Sequence, residues 1–226
     1  MPPTSQTADI AWRDEGVPVS TRFDDPYFSL AGGLAETRHV FLEGNDLPRR
    51  FRPGFHIAEL GFGTGLNLLA ALLAWRDSGA EGRLTYTSFE AYPMAAADMA
   101  RALAAFPAAA AVAEPLLDHW AAGAESFALG AVDVQIILGD ARETLPSWTG
   151  RADAWFLDGF SPAKNPELWS PVLMADVARH TARGGSFATY TAAGAVRRAL
   201  SDAGFIVERR TGFGRKRHMT AGRLPE

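Results

Sequence analysis

The stretch Glu59-Leu-Gly-Phe-Gly-Thr-Gly65 decides the fold class of this 226-residue chain. It continues a short apolar segment, residues 56–60, that is typical of a buried strand, and it leads into an apolar helix predicted over residues 66–76. Three glycines directly after a strand let the backbone turn tightly and approach a ligand without a clash from a side chain. The stretch therefore predicts a strand–turn–helix unit of an α/β domain, with a cofactor held at the turn.

The rest of the chain alternates between short apolar strands and helices. The strands are predicted at 84–90, 134–140, 154–158, 186–190, 205–209 and 217–221, and the helices at 95–105, 141–145, 168–181 and 195–203. Such alternation indicates a parallel sheet covered on both faces. Because only Arg210-Thr-Gly-Phe-Gly214 joins the last two strands, they are expected to form an antiparallel hairpin. We predict a doubly wound, mostly parallel sheet with one antiparallel edge strand.

Residues 1–52 do not share this alternation. Asp25-Pro-Tyr-Phe-Ser29 is typical of a turn that carries two aromatic side chains, and residues 36–44 fit either a helix or a strand that ends at Gly44. We predict that residues 1–52 form a small N-terminal lobe or cover, and that residues 53–226 form the main domain.

The composition excludes several kinds of chemistry. The chain has no cysteine, which excludes disulfides, thiolate metal ligands and a cysteine nucleophile. Its first residues are polar and lack a targeting signal, and its longest apolar run, residues 66–75, is too short to span a bilayer. We expect a cytoplasmic protein with no membrane association, and we predict no metal site.

Acidic residues end three successive predicted strands. Glu59 comes just before the glycine turn, where it can accept a hydrogen bond from a cationic amino group but would repel a pyrophosphate. Glu90 is suited to pair with two ribose hydroxyls, and Asp140 can accept from an adenine amino group. Together they favour an adenosyl ligand with an amino-acid tail. Each acid alone also fits a capping or surface role.

A second stretch, Asp158-Gly-Phe-Ser-Pro-Ala-Lys-Asn-Pro166, places an acid at the end of a fourth strand, where open α/β sheets hold their chemistry. Pro166 restrains Asn165 to an extended conformation. An aliphatic amine with a pKa of roughly 10 is mostly protonated at pH 7, so its methylation requires loss of a proton. We predict that Asp158 orients an amine and accepts its proton; its alternative role is to cap the following turn. Lys164 contacts phosphate or cofactor, or is solvated.

Basic charge is concentrated near the C-terminus, although the net charge of the chain is −4. Residues 197–223 contain eight lysines or arginines and two acids, whereas the rest of the chain contains 14 and 24. This asymmetry indicates an edge that contacts phosphate, with a solvated basic face as the alternative. The candidate phosphate contacts are Arg209, Arg210, Arg215, Lys216 and Arg217, together with Arg49, Arg50 and Arg52.

Six stretches resemble the methyltransferase domain of the bacterial tRNA aminomethyl-thiouridine methyltransferases, the MnmC/MnmD group. They are Asp25-Pro-Tyr-Phe-Ser29, Glu36-Thr-Arg-His-Val-Phe-Leu-Glu-Gly-Asn45, Ala58-Glu-Leu-Gly-Phe-Gly-Thr-Gly-Leu-Asn67, Ser88-Phe-Glu90 with Pro93, Asp153-Ala-Trp-Phe-Leu-Asp-Gly-Phe-Ser-Pro-Ala-Lys-Asn-Pro166, and Gly212-Phe-Gly-Arg-Lys-Arg217. The resemblance covers nearly the whole chain, and the stretches that contain Asp158 and Gly212 are the specific ones.

The resemblance implies a class I, Rossmann-like methyltransferase fold and a reaction in which S-adenosylmethionine methylates the aminomethyl group of a wobble uridine in tRNA. It implies that Asp158 faces the amine as the catalytic residue. The cofactor-binding set predicted on this basis is Glu59, Gly61, Gly63, Thr64, Gly65, Asn67, Glu90, Asp140 and Asp158. The predicted substrate contacts are Tyr27, Phe28, Phe160, Lys164, Asn165, Arg215 and Lys216.

Some alternatives remain open. Tyr27 and Phe28 fit core anchors of the N-terminal lobe as well as substrate contacts. A small-molecule amine methyl- or aminopropyl-transferase would share the fold and the acids, but would need no basic C-terminal edge. A non-catalytic RNA-binding module is disfavoured by the intact acids. The family often carries a C-terminal flavin oxidase domain that prepares the free aminomethyl group, so such a domain or protein is an expected partner.

Overall fold

An eight-stranded, mostly parallel sheet forms the centre of the computed structural model, which describes residues 7–13, 16–28 and 32–226. In chain order the strands are β1 (Ile10–Arg13), β2 (Val17–Ser20), β3 (Asp25–Pro26), β4 (His56–Leu60), β5 (Leu84–Glu90), β6 (Ser126–Leu129), β7 (Val132–Leu138), β8 (Ala152–Leu157), β9 (Thr181–Thr189), β10 (Ile206–Thr211) and β11 (His218–Arg223). The order across the large sheet is β10-β11-β9-β8-β4-β5-β7-β6, and β1–β3 form a separate antiparallel sheet.

Helices cover both faces of the large sheet. They are α1 (Gly33–Thr37), α2 (Leu66–Ser78), α3 (Ala96–Leu103), α4 (Pro107–Ala110), α5 (Glu114–Ala121), α6 (Ala141–Thr144), α7 (Pro171–Arg179) and α8 (Gly194–Asp202). Successive residues of a strand point to opposite faces. Ile57 accordingly packs in the core shared with α2–α5, and Ala58 in the core shared with α6–α8. The doubly wound arrangement predicted from the sequence is therefore confirmed.

Most strand limits lie within two residues of the prediction, but β9 begins five residues early, and the antiparallel strands also differ from the prediction. Strands β4 and β5 have the predicted limits, and β7 and β8 begin two residues early. The reversed strand is β11, which pairs antiparallel with both β9 and β10, so it lies one position inside the edge. A second antiparallel strand, β6, lies at the other edge and was not predicted. Because β6 is short and half-exposed, it lacks the apolar pattern of a central strand.

The helix predicted over residues 168–181 is divided in the structure. A 3₁₀ turn covers Pro166–Trp169, and α7 begins after Ser170, whose side chain accepts a hydrogen bond from the backbone N–H of Leu173. A Ser N-cap followed by proline at the first helical position favours a new start there. Thr181 already belongs to β9.

The N-terminal residues contribute to two parts of the molecule. Strands β1, β2 and β3 form the small antiparallel sheet, whereas α1 continues through a π-helix (Arg38–Leu42) and a 3₁₀ turn (Glu43–Asn45) into the main core. Phe41 packs against Phe156 of β8, with ring centroids 5.4 Å apart. Ser29 lies outside the described residues, and the domain boundary at residue 52 stays a prediction. None of the helices in the described ranges is long and apolar enough to cross a membrane.

Candidate active site

A cavity of about 910 Å³, hereafter the central cavity, opens at the carboxyl ends of the parallel strands. Its walls come from the glycine turn after β4, the residues after β5, β7 and β8, residues within 22–28 and 33–37, and Lys216 of the β10–β11 hairpin. Open α/β sheets bind their ligands at this edge. The volume lies in the upper part of the range of about 300–1,000 Å³ that is usual for small-molecule sites.

The glycine turn forms one side of the central cavity. Gly61, Gly63 and Gly65 have φ angles of 86°, 54° and 75°, in the left-handed region that favours glycine. A Cβ atom on Gly61 would lie 3.1 Å from the carbonyl oxygen of Asp158. Gly61, Gly63 and Thr64 line the cavity, whereas Gly65 lies behind the turn and begins α2. The turn thus exposes backbone to a ligand.

Glu90 presents an anchored carboxylate to the central cavity. Its two oxygens accept hydrogen bonds from the backbone N–H groups of Gly63, at 2.9 Å, and Tyr92, at 2.7 Å. Burial raises the pKa of Glu90, and the backbone donors oppose that rise. Each carboxylate oxygen can accept a further hydrogen bond. Glu90 is therefore able to bind two neighbouring hydroxyls of a ligand.

Asp140 both caps a helix and lines the central cavity. Its Oδ1 accepts from the backbone N–H of Arg142 at 2.9 Å, and its Oδ2 lies 2.6 Å from the Nη2 atom of the same residue. The side-chain hydrogen bond from Arg142 is the main cause that lowers the pKa of Asp140. Both side chains lie on the cavity surface. Asp140 can therefore cap the helix and also accept a hydrogen bond from a ligand in the cavity. Arg142 would then lie next to that ligand.

A hydrogen-bond network links Glu59, which lies in β4, to Asp158, which follows β8. The side-chain nitrogen of Asn67 donates to Glu59 Oε1 and to Asp158 Oδ2, both at 2.8 Å. Its oxygen accepts from the hydroxyl of Thr37 at 3.0 Å, and Ser88 donates to the other oxygen of Glu59 at 2.7 Å. One amide therefore fixes the orientation of both carboxyl groups.

Glu59 lies behind the cavity wall and is only 1% exposed, so Asn67 stands on the cavity surface in its place. Burial raises the pKa of Glu59 to about 8, despite the hydrogen bonds from Ser88 and Asn67. An acid with that pKa is mostly protonated at pH 7. The structure thus makes Glu59 a neutral support for Asn67 rather than an exposed anion.

Asp158 is half-buried at the cavity surface. Its Oδ1 accepts from the backbone N–H of Gly159 at 2.8 Å, and its Oδ2 accepts from Asn67. Burial raises its pKa to about 6, against the effect of these hydrogen bonds and of the positive charge of Lys216. The group is mostly ionised at pH 7 but takes a proton more readily than an ordinary aspartate. Such a pKa suits a general base.

The loop after β8 is fastened to the N-terminal segment. The backbone N–H of Ser161 donates to Asp25 Oδ2 at 2.8 Å, and the Nζ atom of Lys164 lies 2.9 Å from Asp24 Oδ2. Lys164 and Asn165 both line the central cavity. Lys164 is therefore already paired, and its contact to a ligand would be shared with Asp24.

Aromatic side chains form a cluster beside this loop. Phe160 stacks on Phe23, with centroids 4.7 Å apart, and meets Tyr27 edge-to-face at 5.1 Å. Phe28 meets Phe106 edge-to-face at 4.8 Å. Tyr27 and Phe28 are half-buried and also line the central cavity, so each packs within the protein while presenting surface to a ligand.

A further wall combines Glu36, Tyr190 and Lys216. The Nζ atom of Lys216 lies 2.7 Å from Glu36 Oε1 and 4.3 Å from the centroid of the Tyr190 ring. The Tyr190 hydroxyl donates to the carbonyl of Gly159 at 2.8 Å, directly beside Asp158. The ion pair of Glu36 and Lys216 is therefore part of the same wall as the candidate catalytic acid.

The basic residues of the C-terminal hairpin lie mostly at the surface. Arg209, Arg215 and Arg217 are exposed, whereas Arg210 is half-buried and lies 3.0 Å from Glu208. Lys216, between two of the exposed arginines, reaches into the central cavity. The tip of the hairpin therefore brings positive charge to the cavity edge.

The other predicted basic cluster is remote from the central cavity. Arg50 donates to the backbone oxygens of Asn45 and Asp153, and Arg52 pairs with the Asp153 carboxylate at 2.7 Å. Asp153 is the second residue of β8 and Asp158 follows its end, a separation of about 16 Å at the rise of a strand. Arg49 extends the same cluster. The structure thus places these arginines at the opposite end of the sheet, and Arg50 has a structural role.

Several residues of the cavity wall were not predicted from the sequence: Arg22, Phe23, Glu36, Tyr92, Arg142 and Tyr190. Tyr92 lies two residues after the end of β5 and Tyr190 directly follows β9, so their position at strand ends could have identified them. Arg22 lies over the Tyr92 ring, 4.7 Å from its centroid. No sequence pattern shows where the N-terminal segment packs, so Arg22, Phe23 and Glu36 carried no such signal.

The groups that the site presents are a glycine turn, acids after successive strands and a base of raised pKa. In the part of the chain that the structure describes, no group of three or more His, Asp or Glu side chains is arranged to hold a metal ion. On a doubly wound sheet with an internal reversed strand, the turn, the acids and the base define a class I methyltransferase.

Comparison with known proteins shows the family directly. Residues 107–225 match the family described as S-adenosyl-L-methionine-dependent methyltransferase, and the chain belongs to that family. Over 97% of its length it is 48% identical to the tRNA 5-methylaminomethyl-2-thiouridine biosynthesis bifunctional protein MnmC of Stutzerimonas stutzeri, and over 96% it is 48% identical to the protein of that name from Caulobacter vibrioides. The predicted resemblance is confirmed. The chain spans 35% and 38% of the lengths of these relatives.

Solved structures agree with the fold. The crystal structure of MNMC2 from Aquifex aeolicus superposes with a TM-score of 0.75 and 26% identity, over 99% of this chain and 74% of that one. A possible exported protein from Bordetella parapertussis gives a TM-score of 0.50 at 16% identity, over 85% of this chain and 67% of that one, which is a likeness of fold alone.

The residues present fit the cofactor of this family. The glycine turn leaves room that a Cβ atom would fill, since one on Gly63 would lie 3.3 Å from the Tyr27 ring. Glu90 offers both carboxylate oxygens to ribose hydroxyls, and Ala141 and Arg142 line the region beyond it. A dinucleotide would bring a pyrophosphate to a turn flanked by Asp158 and Glu90, which disfavours it.

Proposed function

We propose that this chain transfers a methyl group from S-adenosylmethionine to the aminomethyl group of a wobble uridine in tRNA, converting 5-aminomethyl-2-thiouridine to 5-methylaminomethyl-2-thiouridine. The observation that carries this proposal is Asp158, a fixed carboxylate with a pKa of about 6 on the surface of the central cavity, at the edge where open α/β sheets bind their ligands. The longer relatives are named for tRNA 5-methylaminomethyl-2-thiouridine biosynthesis, and that name supports the choice of substrate.

The main chemical task of the protein is to handle a proton. Bound S-adenosylmethionine supplies an electrophilic methyl group. An alkylammonium with a pKa of roughly 10 must become neutral before its nitrogen can react, and burial of the amine lowers that pKa. Asn67 and the N–H of Gly159 hold both oxygens of Asp158, and each oxygen can accept a further hydrogen bond from a ligand in the cavity. Asp158 orients the ammonium and then accepts its proton.

The cofactor and the base occupy different parts of the central cavity in this proposal. The cofactor is bound by Gly61, Gly63 and Thr64 of the glycine turn, by Glu90, and by the Asp140 region, with Asn67 between it and Glu59. An extruded uridine stacks against the aromatic cluster of Phe160 and Tyr27. Stacking of an unpaired base on aromatic side chains is the usual way for proteins to recognise single-stranded RNA.

The tRNA backbone contacts the basic hairpin tip in this proposal. Arg215 and Arg217 are exposed on either side of Lys216, which reaches the cavity. A phosphate bound there would place the adjoining nucleotide beside Asp158. The relatives are described as bifunctional and are much longer, so we also propose that a flavin-dependent oxidase domain or protein supplies the aminomethyl group. The substrate implies a cytoplasmic location.

The test is transfer of labelled methyl from S-adenosylmethionine to tRNA that carries 5-aminomethyl-2-thiouridine. We expect label on the wobble base, no label on unmodified tRNA, and a rate at least about a hundredfold lower with Asp158→Ala, in the range typical for loss of a general base. Because Asp158 also belongs to the predicted cofactor-binding set, thermal melting serves as the folding control for the variant. Methylation of free polyamines without any transfer to tRNA would contradict the proposal and favour a small-amine transferase.

A further inference from the structure

Glu36 is an acid of the central cavity that the proposed reaction does not use. It lies in α1, lines the cavity, and its side chain is 14% exposed. The Nζ atom of Lys216 lies 2.7 Å from its Oε1 atom. Solvent-exposed ion pairs contribute little to stability. The ion pair therefore adds little to folding stability, and its location in the central cavity indicates a role towards a ligand.

Two chains of contacts join this ion pair to Asp158. The residue after Glu36 is Thr37, whose hydroxyl donates to Asn67, which donates in turn to Asp158. Lys216 lies over the ring of Tyr190, whose hydroxyl donates to the carbonyl of Gly159. Glu36 and Lys216 are thus each connected through neighbouring residues to Asp158, the group proposed to meet the acceptor nitrogen.

The charges of these three residues determine which acceptor the wall attracts. With Asp158 ionised, Asp158, Glu36 and Lys216 together carry a net charge of −1, which favours a cationic amine. Removal of the negative charge of Glu36 would leave Lys216 to balance Asp158, and removal of the charge of Lys216 would leave two uncompensated acids. The two substitutions therefore change the local charge in opposite directions.

We propose that the ion pair of Glu36 and Lys216 sets the charge selectivity of the acceptor site, so that an aminomethyl group is admitted and the same nitrogen bearing a carboxymethyl group is rejected. This inference rests on the proposed function and adds its specificity determinant. A carboxylate attached to the acceptor nitrogen would lie beside both Asp158 and Glu36, and its repulsion in a partly desolvated cavity is strong enough to affect binding.

The experiment compares two tRNA ligands in three variants. The KM is measured for tRNA with aminomethyl-uridine, and the inhibition constant is measured for tRNA with carboxymethylaminomethyl-uridine. Glu36→Gln should raise the first and lower the second, each by about tenfold for one unit charge at close range in a partly screened site. Lys216→Gln should raise the inhibition constant instead. Arg215→Gln is the matched control, because it removes a neighbouring charge and should weaken both ligands by the same factor.

Each outcome bears on one of the two proposals. If the wild-type protein methylates aminomethyl-tRNA but Glu36→Gln and Lys216→Gln leave the ratio of the two constants within twofold of wild type, the charge-selectivity inference is wrong. A shift of both ratios in the same direction is equally contradictory. If the wild-type protein transfers no methyl to this tRNA, the proposed function fails and the inference falls with it. Calorimetry with S-adenosylmethionine shows whether each variant keeps an intact cofactor site.

Discussion

Two carboxyl groups that share one amide donor give this site its protonation pattern. The side-chain amide of Asn67 donates to both Glu59 and Asp158, so the two acids share one hydrogen-bonding residue. The negative charge of Asp158 also raises the pKa of Glu59, although burial is the larger cause. When two such acids interact, the one with the greater desolvation keeps its proton to higher pH. Glu59 is that acid, which leaves Asp158 mostly ionised at pH 7 and able to accept a proton.

The raised pKa of Glu59 predicts that stability falls with rising pH. The pKa of Glu59 is about 8 in the folded chain against 4.5 for the free side chain, so between these values the folded state holds a proton that the unfolded state has lost. The stabilisation that this bound proton provides is complete below about pH 4.5 and is lost as the pH rises to about 8. The effect is on the order of a few kcal/mol in the free energy of unfolding.

Glu59→Gln should remove this dependence. A glutamine can still accept from Asn67, and the Ser88 hydroxyl can turn to accept from its amide. Urea unfolding without cofactor, at intervals from pH 6.5 to 8.5, should show a declining free energy of unfolding for wild type and a nearly constant one for the variant. The pKa of Asp158, about 6, lies below this pH range, so titration of Asp158 contributes little to either slope. Equal slopes for the two proteins would show that Glu59 is ionised when folded.

At the scale of elements, the glycine turn is expected to act through close approach more than through backbone flexibility. Gly61 and Gly54 both have positive φ angles, 86° and 73°. A Cβ atom on Gly61 would lie 3.1 Å from the carbonyl oxygen of Asp158, whereas one on Gly54 meets no described atom within 4 Å. Replacement by alanine therefore imposes a similar backbone cost at both sites, roughly 1–2 kcal/mol, but disturbs the site at only one of them.

Gly61→Ala and Gly54→Ala consequently form a matched pair. Both should lower the melting temperature by a few degrees, as expected for that loss of stability. Only Gly61→Ala should weaken S-adenosylmethionine, by about tenfold or more, because the turn must move away from Asp158. Thermal melting and titration calorimetry measure the two effects separately. Equal cofactor affinity in both variants would mean that the turn tolerates a side chain beside the ligand.

The sequence revealed the elements that the core defines and missed those that packing alone decides. Strand β4 is a short apolar run that contains Glu59, and β5 is an alternating run that ends at Glu90, so their limits could be read directly. Strand β6 is half-exposed and lacked that pattern. The hairpin of β10 and β11 was predicted, but its order in the sheet depends on which strand buries more surface. Most residues of β11 are buried and most of β10 are exposed, so β10 takes the edge.

The same distinction applies to the site: residues at strand ends could be predicted from the sequence, and side-chain positions set by long-range contacts could not. Glu90, Asp140 and Asp158 were predicted because parallel strands bring their carboxyl ends to one edge. The bridging position of Asn67 depends on the turn that orients the start of α2, and Glu36 depends on how α1 packs. Neither has a local signature, since both are fixed by contacts between residues 30 or more positions apart.

At the scale of the whole molecule, the two basic clusters lie at opposite ends of the large sheet. Arg215 and Arg217 lie near the tip of the hairpin, whose Lys216 lines the central cavity. Arg49 and Arg52 have exposed side chains and pair with acids near the amino end of β8 and around Asp46. A tRNA that delivers a base to Asp158 should therefore contact the first cluster and leave the second in solvent.

The salt dependence of tRNA binding should separate the two clusters. For each phosphate that the protein no longer neutralises, the slope of log affinity against log salt decreases by about 0.7 to 0.9. The double variant Arg215→Gln with Arg217→Gln should therefore have a slope smaller by about 1.5 and bind tRNA more weakly at low salt. Arg49→Gln with Arg52→Gln removes the same charge from the opposite end of the sheet. This variant should keep the wild-type slope, because its lost charges lie farther than a Debye length from the bound tRNA.

Filter binding across about 50–200 mM salt measures both slopes. Equal decreases in the two double variants would show that tRNA responds to net charge and not to the hairpin, and would remove the basis for placing the anticodon loop at this edge.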